Sequence, residues 1–163
     1  MAFYAGTEIV DIAKQIESMG EAFYEEALRH IKDPKIREVF SFLHGEERRH
    51  RGVFEALLGK VGQRPDKWRQ DEEYLSYMRA LARNRVFPDL DAVRAAVTGL
   101  RDEDAAIRCA IAFEKDAILF LYELRTMVRQ EERKVIDSLI AEEQSHVRTL
   151  QVLLDAVESR SAP

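Results

Sequence analysis

Glu46-Glu47-Arg48-Arg49-His50 and Glu142-Glu143-Gln144-Ser145-His146 are the stretches of this chain whose residue types could do chemistry. Each contains a Glu-x-x-His pair, and on a helix that spacing puts carboxylate and imidazole on one face, a turn apart. Each pair also interrupts an apolar stripe of helical period. The first stripe runs Ile36, Phe40, Leu43, Glu47, His50, Phe54, Leu57. The second runs Ile136, Leu139, Glu143, His146, Leu150, Leu153, Val157. The pattern calls for core residues and supplies an acid and a base instead, twice. A buried carboxylate is costly unless it is paired or bound to a metal. Four such side chains at core positions require a cation.

Two further acids belong with them. Glu114 interrupts a stripe made by Ile107, Ala110, Ile111, Ile118, Leu121 and Val128. Glu17 shares a face with Ala13, Gly20, Tyr24 and Ala27, beside the stripe Ile9, Ile12, Ile16, Met19, Phe23. Taken alone, Glu17 reads as a solvent-facing residue. An internal repeat changes that reading. Ala13-Lys14-Gln15-Ile16-Glu17 matches Ala110-Ile111-Ala112-Phe113-Glu114, and the same offset carries Phe23 onto Phe120. Glu17 lies as far before Glu47 as Glu114 does before Glu143, to within one residue. Each half is thus a helical hairpin with a lone Glu on its first helix and Glu-x-x-His on its second. Packed together, two such hairpins bring four carboxylates and two imidazoles to one interior point. That is a known ligand set of dinuclear carboxylate four-helix bundles. His30 and His44 have no Glu three residues before them and read as surface residues. Glu46 and Glu142 point sideways from their stripes, beside the cluster or into solvent.

The elements that must position these groups are helices. The expected fold is all-α: a four-helix bundle with a long helical crossover between helices two and three. Helix one begins after Thr7 as N-cap and ends near Ile31, because Asp33-Pro34 is a cap followed by a first-turn proline. Helix two runs from Pro34 to about Leu58, with Gly59 as its stop. Residues 60–102 form the crossover. Within it, Gly62-Gln63-Arg64-Pro65-Asp66 is a breaker, Tyr74 to Leu81 an amphipathic piece, and Leu90 to Val97 a second short helix ending at Gly99. This length permits helix three to run parallel to helix two. Helix three spans Glu103 to Arg129, and helix four follows a turn near Glu131-Glu132 and runs to Val157. The tail Ser159 to Pro163 is expected to fray. The short link between helices one and two makes them antiparallel neighbours.

Composition bounds the rest. The 163 residues suffice for a single domain, 1–163, with a sizeable core, and 46% apolar with 34% charged residues suits a helical chain. A net charge of −5 without a basic block argues against nucleic acid as partner. One cysteine, Cys109, leaves no Cys-x-x-Cys knuckle, no rubredoxin-type iron site and no internal disulfide; it reads as a small core residue. Met1 to Thr7 lacks the features of a signal peptide, and no uncharged run could span a bilayer. A cytoplasmic chain with no membrane partner is the expectation. Trp68, Tyr74 and Tyr77 near the crossover offer an interface, and a homodimer is expected; the alternative is that they pack on their own bundle.

Over nearly its whole length the chain resembles the rubrerythrin-related branch of the ferritin-like superfamily. The residues that carry the resemblance are Ile16-Glu17-Ser18-Met19-Gly20-Glu21-Ala22-Phe23-Tyr24, Glu47-x-x-His50, Phe113-Glu114-Lys115-Asp116-Ala117-Ile118-Leu119-Phe120 and Glu143-x-x-His146. The resemblance implies a ferritin-like bundle in which Glu17, Glu47, His50, Glu114, Glu143 and His146 are di-iron ligands, with Glu47 and Glu143 as bridges. It implies reduction of peroxide or dioxygen at that centre, or oxidation and holding of iron, with an electron donor that the sequence does not name. Full rubrerythrins append a four-cysteine rubredoxin domain, which these residues do not contain. Some also place an extra carboxylate one turn beyond the third-helix Glu, where this chain has Ala117.

Four Glu carry −4 and two divalent ions +4, so a loaded site is close to neutral and can remain in an apolar core. Oxygen-rich ligation with one imidazole per ion suits two irons; manganese or zinc can also occupy such a site. Tyr24 is the candidate catalytic side chain, able to donate a hydrogen bond at the site or enter radical chemistry. Its alternative role is core packing with a satisfied hydroxyl, and the same holds for Tyr122. The leading expectation is a di-iron oxidoreductase acting on peroxide or dioxygen. The alternatives are an iron-sequestering protein without turnover, and a structural bundle whose charged core holds zinc or nothing.

Overall fold

Aspartates start three of the helices. The carboxylate of Asp33 accepts from the backbone of Lys35 at 2.8 Å and of Ile36 at 3.2 Å, with Pro34 in the first turn. Asp89 and Asp102 do the same for Ala92 and Ala105, each at 2.8 Å. Such caps satisfy amide groups that a helix N-terminus leaves without partners. A computed structural model describes residues 6–61, 72–86 and 89–161. Among them are six helices: α1 (Gly6–Ala27), α2 (Pro34–Val61), α3 (Glu72–Arg83), α4 (Leu90–Thr98), α5 (Glu103–Met127) and α6 (Gln130–Ser161). No strand occurs among the described residues.

Two hairpins, α1 with α2 and α5 with α6, make the most extensive contacts. They meet through α1 against α5 and α2 against α6. The short helix α4 of the crossover lies along α1, with Val93 and Val97 buried beneath it. One end of the bundle is tied together across both hairpins. The amides of Lys32 and Asp33, between α1 and α2, donate to Glu103 Oε1 at 2.7 and 2.8 Å. Arg160, near the end of α6, donates to Asp33 Oδ2 at 2.8 Å. The starts of α2 and α5 therefore share an end with the close of α6, and α2 and α5 run parallel. This is the expected all-α four-helix bundle with a helical crossover.

The apolar stripes face inward. Phe23, Tyr24, Phe40, Leu43, Phe54, Ile107, Leu121 and Ile136 are fully buried. Tyr24 stands edge-on to Phe23 and Phe40, with ring centroids 5.3 and 5.2 Å away. This aromatic cluster sets the spacing of α1 and α2 just beside the charged interior.

Several boundaries differ from expectation. Helix α1 already includes Gly6, so Thr7 lies inside its first turn rather than at its cap, and the helix ends at Ala27. Helix α2 continues through Gly59 to Val61. A glycine costs a helix only about 1 kcal/mol, which a long packed helix absorbs. The breaker at 62–66 lies outside the described residues, as does Trp68. Glu131 and Glu132 belong to the first turn of α6, where Glu132 accepts from the Arg129 amide at 3.0 Å. Helix α6 persists through Ser161, past the predicted end at Val157. Tyr122 is exposed and receives a hydrogen bond from Gln144 at 3.1 Å, so it is not a core residue. Tyr77 is exposed too, and its hydroxyl donates to Glu123 on α5 at 3.0 Å. No helix among the described residues is long and apolar enough to cross a membrane.

Candidate metal centre

Each long helix brings its charge to the interior by the phase of its own apolar stripe. On α2, Leu43, Glu47, His50, Phe54 and Leu57 are all buried; on α6, Leu139, Glu143, His146, Leu150 and Leu153 are. Helix α1 adds Glu17 and α5 adds Glu114. With Glu132, these six are the only polar or charged residues buried among those described, none more than 3% exposed except Glu132 itself. The structure thus brings every predicted site residue to one place. Glu17, which its own helix left ambiguous, is 2% exposed.

The six form two overlapping sets. Glu17, Glu47, His50 and Glu143 offer ligand atoms within 4.8 Å of one another, and so do Glu47, Glu114, Glu143 and His146. Glu47 and Glu143 belong to both sets. Nδ1 of His50 lies 2.6 Å from Glu143 Oε1 and 3.5 Å from Glu17 Oε2. Nδ1 of His146 lies 2.8 Å from Glu143 Oε2 and 3.7 Å from Glu114 Oε2. The two imidazoles are stacked, centroids 5.7 Å apart and planes 17° from parallel. Tyr24 donates its hydroxyl proton to Glu114 Oε1.

The donor set fits divalent cations. Glu17 Oε2, both oxygens of Glu47 and Glu114 Oε2 are buried without a hydrogen-bond partner, and Glu143 Oε1 and His50 Nδ1 are buried with only each other close by, at 2.6 Å. Six such atoms converging from four helices would each carry a desolvation penalty that a cation removes. Proton affinities show how the cluster copes without one. Burial, reinforced by the neighbouring acids, pushes Glu47 well above the carboxylate range, and burial raises Glu17 as well. Burial and the Glu143 charge raise Glu114 to about 8. Burial opposes charge on the imidazoles, yet the carboxylates facing them win: Glu143 and Glu17 hold His50 at about 11, Glu114 and Glu143 hold His146 at about 9. Burial would raise Glu143 also, but the two imidazoles outweigh it and keep that carboxyl far below its ordinary range. Burial lifts the Tyr24 phenol well above its usual value, so it stays protonated. The cluster therefore holds protons where two +2 ions would balance four carboxylates, and metal uptake must release them.

Two participants escaped the sequence reading. Gly20, one turn from Glu17 on α1, faces both Phe113 of α5 and the Glu47 carboxylate at close range. A Cβ there would lie 2.5 Å from the Phe113 ring and 2.7 Å from Glu47 Oε2. Alanine would gain about 1 kcal/mol of helix propensity, but overpacking of this kind costs about 1–3 kcal/mol. Gly20→Ala is therefore expected to lower both thermal stability and metal content, read by melting curves and metal analysis. A more stable variant with full metal content would show that the ring and carboxylate yield freely. The second is Arg49, whose guanidinium bonds to Glu142 on α6 and, at 2.8 Å, to Glu46 on its own helix. Its counterpart in the repeat is Ser145, and that break in the repeat was its one visible signal. Glu46 and Glu142 are half-buried beside the cluster, His44 is half-buried and His30 exposed.

Four long helices in two hairpins, with two interlocked Glu/His sets at their centre, define a ferritin-like bundle of the carboxylate metal-binding class. The sequence pattern of the Rubrerythrin family matches residues 8–154, and the chain belongs to that family. Its fold is similar to the crystal structure of a Thermotoga maritima protein provisionally described as a ferritin-like diiron-carboxylate protein. That similarity has a TM-score of 0.67 at 24% identity, covering 95% of this chain and 97% of the other. No curated protein matches the chain.

Proposed function

We propose that this protein is a di-iron oxidoreductase that reduces peroxide or dioxygen at the cluster, with ferrous iron oxidised there and an external reductant returning the electrons. The observation that carries the reading is the sharing of Glu47 and Glu143 between two four-residue sets, each with one imidazole. Glu17 and His50 would hold one ion, Glu114 and His146 the other, and the shared acids both. Two ferrous ions, when bound, supply one electron each to the oxidant. The chain's own residues do the rest. Carboxylates and imidazoles suit iron, and four protein ligands per ion leave room for a small oxidant. Phe23, Phe40, Leu43 and Phe54 are buried around the cluster and keep bulk water away. Tyr24 holds a proton on its hydroxyl against Glu114 Oε1, fixing that carboxylate and keeping a donor at the rim.

Iron holding without turnover is the second reading. Ala117, one turn beyond Glu114, is buried and contributes no further carboxylate, so the ligand set has no spare acid there. Anaerobic loading with ferrous iron, then peroxide with excess reductant, separates the two. The oxidoreductase reading expects many peroxide molecules consumed per chain, two reducing equivalents each. A single oxidation of bound iron with no cycling would leave sequestration standing and defeat the enzyme.

A further inference from the structure

Beyond the ligands themselves, His50 makes a second contact that the six-residue set does not explain. Its Nε2, on the side away from the cluster, lies 2.9 Å from Glu142 Oε2. The ring is fully buried, whereas the Glu142 side chain is 32% exposed. Both oxygens of Glu142 are held: Oε2 by Arg49 as well as His50, and Oε1 by Ser138 at 3.3 Å. Nη2 of Arg49 also approaches Nε2 of His50, at 3.1 Å.

We propose that Glu142, steadied by Arg49, is a positioning residue for the ion on the Glu17 side, acting through His50. The inference rests on the metal-centre reading and concerns binding, not turnover. An imidazole that ligates through Nδ1 must carry its proton on Nε2. That proton needs an acceptor, and arginine is a donor only. Of the two groups at Nε2, Glu142 alone can take it. The bond fixes the tautomer and the ring plane, and raises the basicity of Nδ1. An exposed Arg–Glu pair would contribute little by itself; here its effect is to hold an acceptor against a buried ring.

The two halves of the repeat cross over. The outer acid of each motif faces the histidine of the other, Glu142 towards His50 and Glu46 towards His146. The second approach is longer, 4.0 Å from Glu46 Oε2 to His146 Nε2. An edge-on Phe42 ring, 6.1 Å from His146, stands on that side as well. The support is therefore unequal, and loss of Glu142 singles out one ion.

Titrating the full chain with Co2+ tests this, using wild type, Glu142→Ala and Glu142→Gln, with circular dichroism to verify folding. Wild type is expected to bind two Co2+ tightly. Glu142→Ala weakens one of them by about 10–100-fold and leaves the other nearly unchanged. Glu142→Gln, whose amide oxygen still accepts from Nε2–H, restores most of the loss. In the proton spectrum of the Co2+ form, the exchangeable, hyperfine-shifted imidazole signal of His50 is lost in the alanine variant and returns with glutamine. Two equally tight ions in Glu142→Ala, or a glutamine variant as weak as the alanine one, would overturn the proposal. Wild type without tight Co2+ would overturn the metal centre with it. Absence of peroxide turnover would overturn neither.

Discussion

Glu143→Ala is expected to abolish tight binding of both ions, a loss of at least about 100-fold in affinity for each, because second-order supports alone are worth 10–100-fold. Glu143 belongs to both ligand sets, and its two oxygens face the two imidazoles at 2.6 and 2.8 Å. Glu17→Ala, which touches one set only, should leave about one ion per chain. The contrast between the two variants is the test of sharing. Glu143→Ala also weakens the metal-free fold, since breaking a buried charged pair costs about 3–5 kcal/mol. Part of that cost is recovered when His50 and His146 shed their protons near neutrality. Metal analysis after anaerobic loading with ferrous iron, beside helical content and melting curves, separates the two effects. If Glu143→Ala kept one ion as tightly as wild type, the overlapping sets would be wrong.

The second large effect has the opposite sign for stability. Glu47 is 1% exposed, neither of its oxygens has a hydrogen-bond partner, and burial and the charges of Glu114, Glu17 and Glu143 act most strongly on it. In the metal-free protein it is a liability that grows with pH. A group whose folded pKa lies above its unfolded value stabilises the fold fully below the unfolded value and loses that contribution as pH rises through the folded one. Glu114 acts between its ordinary 4.5 and about 8, His146 between 6.5 and about 9, and His50 between 6.5 and about 11. Glu17 and Glu47 have the same sign. Glu143, held below its ordinary value, loses its contribution only as pH falls into the acid range. The metal-free protein should therefore melt at progressively lower temperature from pH 6.5 to pH 9, while the loaded protein changes little. Glu47→Gln removes the carboxyl whose ionisation burial and the neighbouring acids oppose. It is expected to stabilise the metal-free form at pH 9 by about 1–4 kcal/mol, flatten the pH trend and abolish tight binding of both ions. A Glu47→Gln protein that melts lower than wild type at pH 9 would show that Glu47 already has a compensating partner.

Five of the six interior residues were legible because a charge placed in phase with apolar residues contradicts its own stripe; Glu17 lies beside its stripe and was legible only through the repeat. The aspartate cap at Asp33 was legible for a similar reason, since a cap is a local event within three residues of its amide; the caps at Asp89 and Asp102 are equally local and were not read. Gly59 was misread because one glycine weighs little against a helix packed along its length. Tyr122 was misread because a tyrosine at the flank of a stripe can turn either way, and its hydroxyl found Gln144. Arg49 and Gly20 belong to another category. Their importance comes from what lies opposite them, Glu142 on α6 in one case and Phe113 on α5 in the other. Such pairings follow from the distance between helix axes, which no local pattern encodes.

Neither hairpin owns an ion. The first set takes three ligands from α1 and α2 and one from α6; the second takes one from α2 and three from α5 and α6. On the proposed ligand sets, each cation would be a clasp between two halves that are far apart along the chain. Filling the centre would join the hairpins at the cluster, whereas Glu103 and Arg160 already lace them at one end. Metal content then governs how far the halves can part and reclose, and a chain stripped of its ions should breathe along the seam between them before it unfolds.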